Sequence, residues 1–307
     1  MTSAPHGPPP PSAPHPPASS LQSPSTDPDP DPAGLFQDAQ QTAAYARHRP
    51  HYPPQLYAQL YSRAFPDRAG PPFPDLTVVD VATGSGQALG PLPRDFGACV
   101  ALDVSAAQLR GVPDELRRQR RLTLRQGDAH ATGLPPASVD LVTVGQALHW
   151  FRLEEFYLEC RRILKPSGAL AAWTYDYGKL YGFAGAQELY EQLYGGTLAG
   201  HWAKGRELVD AYYLGIEPGP QHFGEVVRLQ LPMPSAPTLD ELVGQVRSWS
   251  AYRSFTRAHP SAPDPAEQFR QQAAARMAAE GVGGRRLSLQ RTITLLIALR
   301  PVARALL

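Results

Sequence analysis

The stretch that most constrains this chain is residues 76–87, LTVVDVATGSGQ, in which an apolar run ends in closely spaced glycines. A run of β-branched and apolar residues predicts a buried strand, and the glycines predict a tight turn into a helix. Glycine lets the backbone approach a ligand closely, and free N–H groups at a helix start favour anions or polar acceptors. The stretch therefore predicts a ligand loop at the carboxyl end of a strand, where open α/β sheets bind cofactors.

Gly84, Gly86 and Gly90 give this turn the pattern GxGxxxG, which several nucleotide-binding folds share. A glycine-rich turn without a ligand is the alternative interpretation of the turn taken alone. The residues after the other predicted strands separate the two, because a cofactor site needs polar side chains from several strands at one edge.

The composition favours a protein that binds neither nucleic acid nor membranes. The 307 residues carry a net charge of +1, so no strong field attracts a polyanion or an anionic lipid surface. We expect no membrane-spanning segment and no secretory signal, because the necessary apolar runs are missing. Cys99 and Cys160 form no disulfide framework, and the histidines lack metal-ligand spacing, so no metal site is expected. A cytoplasmic location is the expectation.

The chain divides into a proline-rich tail and one folded domain. Residues 1–34 are dominated by Pro and Ser and carry almost no apolar side chains, so they cannot offset the entropy lost on folding. We expect a disordered tail with polyproline character. A partner domain that binds this tail is one hypothesis, and a solvated tail without a partner is the favoured one. Residues 35–307 are expected to form one domain, with a cofactor-binding core at 76–175 and a C-terminal, substrate-side part at 176–307.

Hydrophobic periodicity alternates between strands and helices along this domain. Strands are predicted at residues 77–82, 99–102, 121–125, 139–144, 169–174, 226–231 and 291–299. Helices are predicted at residues 38–47, 55–64, 105–121 with a break near 111–113, 153–164, 186–193, 206–214, 238–255 and 265–279. A further helix should follow Gly86, shortened or bent by Pro91 and Pro93. The alternation predicts an α/β fold with a doubly wound, mostly parallel sheet of seven strands.

Polar side chains follow successive predicted strands. Asp80 precedes the glycine loop, Asp103 follows strand two, Asp128 follows strand three, and Gln146 follows strand four. A lone Asp at a strand end is usually a helix cap, but several at corresponding positions should line one crevice. Asp103 lies about 20 residues beyond the glycine loop, the separation at which a carboxylate accepts from ribose hydroxyls.

Five stretches in order resemble the class I S-adenosylmethionine-dependent methyltransferases of the type 11 methyltransferase-domain group. They are VVDVATGSGQ at 78–87, ALDVSAAQL at 101–109, GDAHATGLP at 127–135, SVDLVTVGQALHWF at 138–151 and RRILKPSGALAAW at 161–173. The segment QALHWF is similar to the trans-aconitate methyltransferase-like proteins, as are YARHRPHYP at 45–53 and SWSAY at 248–252. The resemblance implies a Rossmann-like fold with a helical N-terminal lid, and S-adenosyl-L-methionine as the cofactor.

The resemblance also implies roles for the glycine loop and its neighbours. Asp80 would orient the loop and approach the methionine amino group of the cofactor. Gly84 and Gly86 would let the backbone pass under the ribose and methionine parts. Ala82 stands where the family pattern has its first glycine, and this small residue should be tolerated. Asp103 would accept from the two ribose hydroxyls.

Further roles fall on the next strands and on the lid. By resemblance, Asp128 and the Ala129 amide would contact the adenine edge. Gln146, with its neighbours' backbone, would contact the methionine end. Tyr45 and Arg49 would belong to the N-terminal lid that closes over cofactor and substrate.

The acceptor is expected to be a small molecule, and the narrower resemblance suggests a carboxylic acid. Arg49 or Arg253 could pair with such an anion. His149 is the candidate general base for a hydroxyl or amine acceptor, whereas a carboxylate needs no base. A place in the pocket wall is the favoured alternative for His149. Candidate aromatic lining residues are Trp150, Phe151, Tyr175, Trp249 and Tyr252, each equally explained by core packing.

Two other functions remain open at this point. A nicotinamide-dependent, NAD(P)-type oxidoreductase could use the same kind of crevice, although the residues after strands three and four do not favour it. A non-catalytic, methyltransferase-like binding protein is the second alternative, kept open by Ala82 and the prolines after the loop. A nucleic-acid methyltransferase is disfavoured, because net charge is near zero and no NPPY-like segment follows strand four.

Overall fold

A computed structural model describes residues 52–303 of the chain. The predicted tail at 1–34, the predicted helix at 38–47 and the lid residues Tyr45 and Arg49 lie outside the described residues.

The described part is built on one sheet of eight strands. In chain order the strands are β1 (Phe73–Val81), β2 (Phe96–Asp103), β3 (Leu122–Gln126), β4 (Val139–Gly145), β5 (Leu164–Tyr175), β6 (Lys179–Tyr181), β7 (Phe223–Ser235) and β8 (Ser288–Pro301). Each of the seven predicted strands is present, and most are longer than their apolar runs. The polar flanks of a strand continue its backbone ladder without contributing to the apolar pattern.

The sheet has a parallel half and an antiparallel half. The strands β3, β2, β1, β4 and β5 lie side by side and run parallel, so their carboxyl ends share one edge. β8 runs antiparallel to β5 on one side and to β7 on the other. The short β6 pairs with residues 288–290 of β8, beyond the part that pairs with β5. The doubly wound, mostly parallel sheet is confirmed, and β6 is an additional strand that the sequence pattern did not predict.

Ten α-helices connect the strands of residues 52–303. They are α1 (Pro54–Ala64), α2 (Leu92–Asp95), α3 (Ala106–Arg110), α4 (Asp114–Arg117), α5 (Leu153–Ile163), α6 (Ala186–Glu191), α7 (Arg206–Asp210), α8 (Leu239–Arg247), α9 (Ser250–Ala258) and α10 (Pro265–Ala279). Shorter helical turns lie at Leu148–Trp150, Gln192–Thr197 and Ala199–His201. No helix in this part of the chain is both long and apolar enough to cross a membrane.

Several helices differ from their predicted extents. α4 ends at Arg117 and α7 ends at Asp210, before the predicted ends at residues 121 and 214. Turns occupy residues 82–91 after β1, and α2 is only four residues long. Pro91 and Pro93 explain this, because proline has no N–H for the helical hydrogen-bond ladder. The predicted helix at 238–255 is two helices, interrupted where Trp249 adopts an extended backbone at φ −70° and ψ 144°. The interruption leaves the Trp249 side chain buried, at 7% exposure.

Three clusters of buried apolar side chains hold these elements together. Val78 belongs to one cluster and Val79 to another, so these two clusters cover opposite faces of the sheet. The third cluster joins β6, α6, α8 and α10 and packs around Tyr190 and Phe269. We call residues 177–202 and 239–289 the C-terminal cap. It stands beside the carboxyl edge of the parallel strands, where cofactors bind in open α/β sheets.

The close approach of β1 to β2 at Gly97 gives a test of this fold. A Cβ built at Gly97 would lie 2.0 Å from the carbonyl oxygen of Pro74. Gly97→Ala should therefore lower the free energy of unfolding by about 2 kcal/mol or more, because backbone atoms must move. Urea unfolding measures the change. Gly195→Ala is the control, because its added Cβ meets nothing within 4 Å, and equal stability of both variants would contradict the β1–β2 geometry.

Candidate functional site

Asp80 is a buried carboxylate near the carboxyl end of β1. Its side chain is fully buried, and the Thr143 hydroxyl on neighbouring β4 donates to Oδ1 at 2.6 Å. Within residues 52–303, no donor meets hydrogen-bond geometry at the buried Oδ2. Burial raises the pKa of Asp80 to about 6, and the hydroxyls of Thr143 and Thr83 oppose this rise. Because a buried carboxylate oxygen without a donor costs free energy, this atom is suited to a donor that a ligand supplies.

The glycine loop, residues 82–86, reverses the chain in a left-handed conformation. Ala82, Gly84 and Gly86 have φ angles of 54°, 58° and 88°. Glycine adopts such angles freely, whereas a residue with a Cβ is strained there by about 1–2 kcal/mol. Ala82 is therefore a strained residue at the position where the resemblance calls for glycine.

Asp103, the last residue of β2, holds the glycine loop in place. Its Oδ2 accepts from the Gly84 N–H at 2.8 Å, and its Oδ1 accepts from the Ser105 N–H at 2.8 Å. The side chain is buried, and burial raises its pKa while these two hydrogen bonds oppose the rise. Each carboxylate oxygen has more than one lone pair. The expected ribose contact is thus compatible with these bonds, and it stays a prediction.

Asp128 lies two residues beyond β3 and is about half exposed, at 53%. Its Oδ1 accepts from the His130 backbone N–H at 2.9 Å and from the ring Nδ1 at 2.6 Å. The His130 bonds lower the pKa of Asp128. The Arg152 N–H donates to His130 Nε2 at 3.0 Å, so Nε2 is an acceptor and Nδ1 carries the proton. His130, which the sequence did not single out, therefore fixes both Asp128 and the segment after β4. Ala129 between them is half-buried.

Gln146 follows β4 with a left-handed backbone, at φ 56°. Its Nε2 donates to the Tyr175 carbonyl at 3.1 Å, and its Oε1 accepts from the Thr174 hydroxyl at 2.8 Å. Both ends of the amide are thus bonded to β5. The side chain also lines a cleft, and its expected contact with the methionine end of the cofactor stays a prediction.

A cleft lies between the carboxyl edge of the sheet and the C-terminal cap. It brings together six residues that the sequence analysis had proposed for the site: Gln146, His149, Trp150, Tyr175, Trp249 and Arg253. Further aromatic side chains complete its walls: Tyr177, Tyr194 and Trp202. Its charged lining residues are Asp176, Arg206, Arg253 and Arg291. The cleft thus combines aromatic walls with polar and charged groups, and small-molecule sites use such groups to fix the orientation of a ligand.

Two consecutive tyrosines in left-handed conformations position the titratable residues of the cleft. Tyr212 and Tyr213 have φ angles of 57° and 61°. The Tyr212 hydroxyl donates to Asp176 Oδ2 at 3.1 Å, and the Tyr213 hydroxyl lies 3.0 Å from His149 Nδ1. The Arg228 guanidinium donates to the carbonyl oxygens of both tyrosines, at 2.6 and 2.9 Å. Strain of this kind persists only where surrounding contacts impose it, and here it orients Asp176 and His149.

Two aromatic residues predicted as candidates do not line this cleft. Phe151 packs instead against Phe156, with ring centroids 4.7 Å apart, and against His130 at 5.7 Å. The Tyr252 hydroxyl donates to Asp264 at 3.2 Å. Neither orientation follows from sequence spacing, because the short helical turn before Phe151 and the break before α9 decide them.

Asp176 and Arg291 are cleft residues that the sequence interpretation missed. Asp176 directly follows β5, so the rule that selected Asp80 and Asp103 at earlier strand ends would also have selected it. Arg291 alternates with Leu289 and Ile293 on one side of β8, and all three are buried. An arginine at an apolar position of a strand pattern is unusual, and this pattern was the available indication.

Comparison with known proteins assigns the family. A family model described as a methyltransferase domain matches residues 79–172. A Dictyostelium discoideum protein named "Putative methyltransferase" is 32% identical over 216 residues, covering 70% of this chain and 77% of the relative. The chain belongs to the methyltransferase-domain family. It is an S-adenosylmethionine-dependent methyltransferase with the class I fold.

Two further relatives extend the likeness over most of this methyltransferase. A "Probable S-adenosylmethionine-dependent methyltransferase" of Saccharomyces cerevisiae is 26% identical over 262 residues, covering 75% of this chain and 85% of the yeast protein. The solved structure of a "Putative Type II Methyltransferase" from Anaeromyxobacter dehalogenans is 30% identical with a TM-score of 0.64. The match covers 82% of this chain and 97% of that structure, so the C-terminal cap belongs to the shared architecture.

The residues at the carboxyl edge fit S-adenosylmethionine. The buried Oδ2 of Asp80 has no donor among residues 52–303, and the cofactor's ammonium group is a charged donor. The glycine loop carries no side chain at Gly84 or Gly86 that would keep a ligand away from the backbone. Asp103 and Asp128 add oxygen acceptors on the neighbouring strands, which suits the hydroxyl and amino donors of an adenosine.

Because the pKa of Asp80 is raised, replacing its carboxyl group by a neutral one should stabilise the folded protein at neutral pH. Its ionised form is disfavoured in the folded protein, so this group destabilises the fold as pH rises from about 4 through about 6. Asp80→Asn should therefore stabilise the ligand-free protein by about 2 kcal/mol at about pH 7.5, and the gain should vanish near pH 4. Urea unfolding at several pH values measures it. Asp75→Asn, at an exposed ion-paired carboxylate, should give no such gain. A destabilised Asp80→Asn at neutral pH would refute the assignment.

The strained backbone at Ala82 gives a second prediction for this site. Ala82→Gly should raise the free energy of unfolding by about 0.5–1 kcal/mol, because relief of the left-handed strain exceeds the added entropy of the unfolded chain. Ala137→Gly is the matched control, because this exposed alanine has a similar φ of 49° away from the glycine loop. Chemical denaturation should show a comparable gain for both. A loss of stability in both would mean that this strain is not the governing term.

Proposed function

We propose that this methyltransferase transfers the methyl group to a small-molecule acceptor, and that the acceptor is a carboxylic acid. The observation that carries the proposal is the aromatic cleft beside Gln146, at the carboxyl edge of the parallel strands. Its aromatic walls with a set of polar groups suit a small organic molecule, and three arginines among its lining residues favour a negative charge. The narrower resemblance to trans-aconitate methyltransferase-like proteins points to the same class and stays a prediction.

The cofactor contacts form one part of this proposal. Asp80 would accept from the ammonium group, directly or through water, and Gly84 and Gly86 would line the path of the ribose and methionine parts. Asp103 would accept from the ribose hydroxyls while it holds the loop. The position of these groups around one loop at the end of β1 supports this assignment.

The remaining contacts would complete the crevice. Asp128, fixed by His130, and the Ala129 amide would contact the adenine edge. Gln146 would define the methionine end, next to the cleft, so that the acceptor lies close to the transferable methyl group. Tyr45 and Arg49, which lie outside the described residues, are proposed to close over both ligands.

The reaction depends mainly on holding the acceptor in line with the methyl group that is transferred. When bound, the cofactor supplies a methyl group on a positively charged sulfur; a carboxylate oxygen forms the new O–C bond as the S–C bond breaks, giving a methyl ester and S-adenosylhomocysteine. Holding the acceptor close and in line contributes several kcal/mol, roughly, to lowering such a barrier. The walls formed by Trp150 and Trp249 restrict how a small acid can lie.

His149 is proposed as an orienting residue of the cleft wall. Its Nδ1 faces the buried Tyr213 hydroxyl at 3.0 Å, and its ring packs against Trp150 with centroids 5.0 Å apart. A carboxylate acceptor has no proton to lose, so the proposed reaction needs no general base. A base role for His149 would apply only to a hydroxyl or amine acceptor.

We propose that the protein is cytoplasmic and binds neither nucleic acid nor membranes. Both cysteines, Cys99 and Cys160, are free and buried, which is compatible with a reducing compartment. A partner domain for the proline-rich tail remains a separate hypothesis.

Cofactor binding and methyl transfer test the proposal in two steps. Calorimetric titration should show S-adenosylmethionine and S-adenosylhomocysteine binding to the native protein. Asp103→Asn should weaken both by about tenfold or more, because the variant loses charge and a loop contact. Asp75→Asn should leave both affinities unchanged. Transfer of a labelled methyl group to a panel of small carboxylic acids, with the matching amides as controls, should give methyl esters that mass spectrometry identifies. Labelling of the amides alone would overturn the acid acceptor.

A further inference from the structure

Arg291 is a buried cation that forms no ion pair with a carboxylate among residues 52–303. Only 4% of it is exposed, yet it lines the cleft. Its Nη1 donates to the Ser235 hydroxyl at 3.3 Å. Its Nε and Nη2 are buried and have no hydrogen-bond partner within residues 52–303. Removing a guanidinium from water without a counter-charge is costly, so folding alone does not explain this residue.

The neighbouring carboxylate, that of Asp176, attracts Arg291 but forms no ion pair with it. Asp176 Oδ2 accepts from the Tyr212 hydroxyl at 3.1 Å, and Oδ1 accepts from the Thr292 N–H at 3.1 Å. Among the described ion pairs, none joins Asp176 to Arg291 within 4 Å. Asp176 is thus held in another direction, and two donor positions of Arg291 stay open.

Arg206, another arginine of the cleft, has a counter-charge. Arg206 is paired with Asp210, with Nη2 and Oδ1 3.0 Å apart. Its guanidinium also lies over the rings of Trp202 and Tyr194, at 4.8 and 5.2 Å. Arg206 therefore already has a counter-charge and two aromatic faces. Arg291 instead interacts with the hydroxyls of Ser235 and Tyr190 and with the ring of Tyr175 at 5.7 Å.

We infer that Arg291 binds the carboxylate of the acceptor, and that the acceptor is a monoanionic organic acid with a flat, apolar body. This inference rests on the proposed function and names the specificity-determining residue of the same cleft. A planar guanidinium with two open donor positions matches the two oxygens of a carboxylate. One open positive charge, with Asp176 close by, suits a single negative charge better than a dianion.

The aromatic walls of the cleft indicate what kind of group carries the carboxylate of the acid. Tyr177 and Tyr194 are stacked with centroids 4.1 Å apart, and Trp202 lies 4.6 Å from Tyr194. Such faces favour planar, apolar groups. Methylation of the carboxylate removes the charge that Arg291 recognises, so the ester would bind more weakly than the acid and leave the cleft.

A matched pair of probes tests the inference without any catalytic turnover. The probes are 4-nitrobenzoate and its neutral counterpart 4-nitrobenzamide, titrated into the full-length protein and followed by quenching of tryptophan fluorescence. The signal reports on the cleft, because Trp150, Trp202 and Trp249 line it. The native protein should bind the anion about tenfold or more tightly than the amide. Equal binding of the two probes by the native protein would overturn the inference, whatever the variants do.

Variants assign the preference to one residue. Arg291→Gln should reduce the preference for the anion to about twofold or less while amide binding is retained. Arg291→Lys should keep part of the preference for the anion, because the positive charge remains but the planar pair of guanidinium donors is lost. Arg300→Gln, at an exposed residue of the same strand that pairs with Glu225, should keep the native preference. If Arg253→Gln abolishes the preference and Arg291→Gln keeps it, the carboxylate site belongs to Arg253 and the inference is wrong.

Two further readouts separate this inference from the proposed function. Ligand-free Arg291→Gln should melt at or above the native temperature, because an uncompensated buried charge is removed; a clear loss of stability would indicate a structural role and contradict the inference. In methyl transfer, Arg291→Gln should raise KM for acids about tenfold or more. If an acid is methylated and its KM is the same for Arg291→Gln and the native protein, Arg291 does not bind the acid. The proposed acid methyltransferase activity would still stand. Arg291-dependent binding of nitrobenzoate, with no acid methylated, would support the anion site and reject the acid acceptor.

Discussion

Two hydrogen bonds to one buried carboxylate, that of Asp103, hold the ligand edge of this methyltransferase together. One fixes Gly84 in the glycine loop, and the other fixes Ser105 at the start of the next helix. The loop depends on this support because three of its residues have left-handed backbones, including Ala82. The direction in which the loop leaves β1 then sets where a ligand meets the open Oδ2 of Asp80. The carboxylate thus organises the edge at which the other strands present their polar residues.

The protein keeps uncompensated groups on both sides of its site. Asp80 has an unpaired oxygen on the cofactor side, and Arg291 has two unpaired donor positions in the cleft, among residues 52–303. Each costs free energy in the ligand-free fold, and a ligand of opposite charge would offset that cost. The left-handed pair Tyr212 and Tyr213, held by Arg228, is a third costly feature at the same site. Functional sites often contain groups that lower the stability of the folded protein in this way.

Much of the parallel half of the fold could be predicted because its information is local. Apolar runs predicted β1 to β5, and polar residues at the carboxyl ends of strands predicted the roles of Asp80 and Asp103. The same rule applied after β5 would have found Asp176. The three-residue β6 could not be predicted, because it is too short to show alternation and exists through its pairing with β8. The interruption before α9 likewise follows from the burial of Trp249 in the cap and not from helix propensity.

By itself, the sequence determined the kind of edge that this protein has: a glycine loop and carboxylates at the ends of parallel strands, with the resemblance naming the cofactor. The tertiary structure alone decided the aromatic cleft. Gln146, Tyr194, Trp249 and Arg291 are widely separated along the chain, and only the packing of the cap beside β8 brings them together. Periodicity shows which side of a strand is buried, but not which distant residue lies opposite or whether a buried charge forms an ion pair. The two unpartnered donor positions of Arg291 among residues 52–303 are therefore a property of the fold.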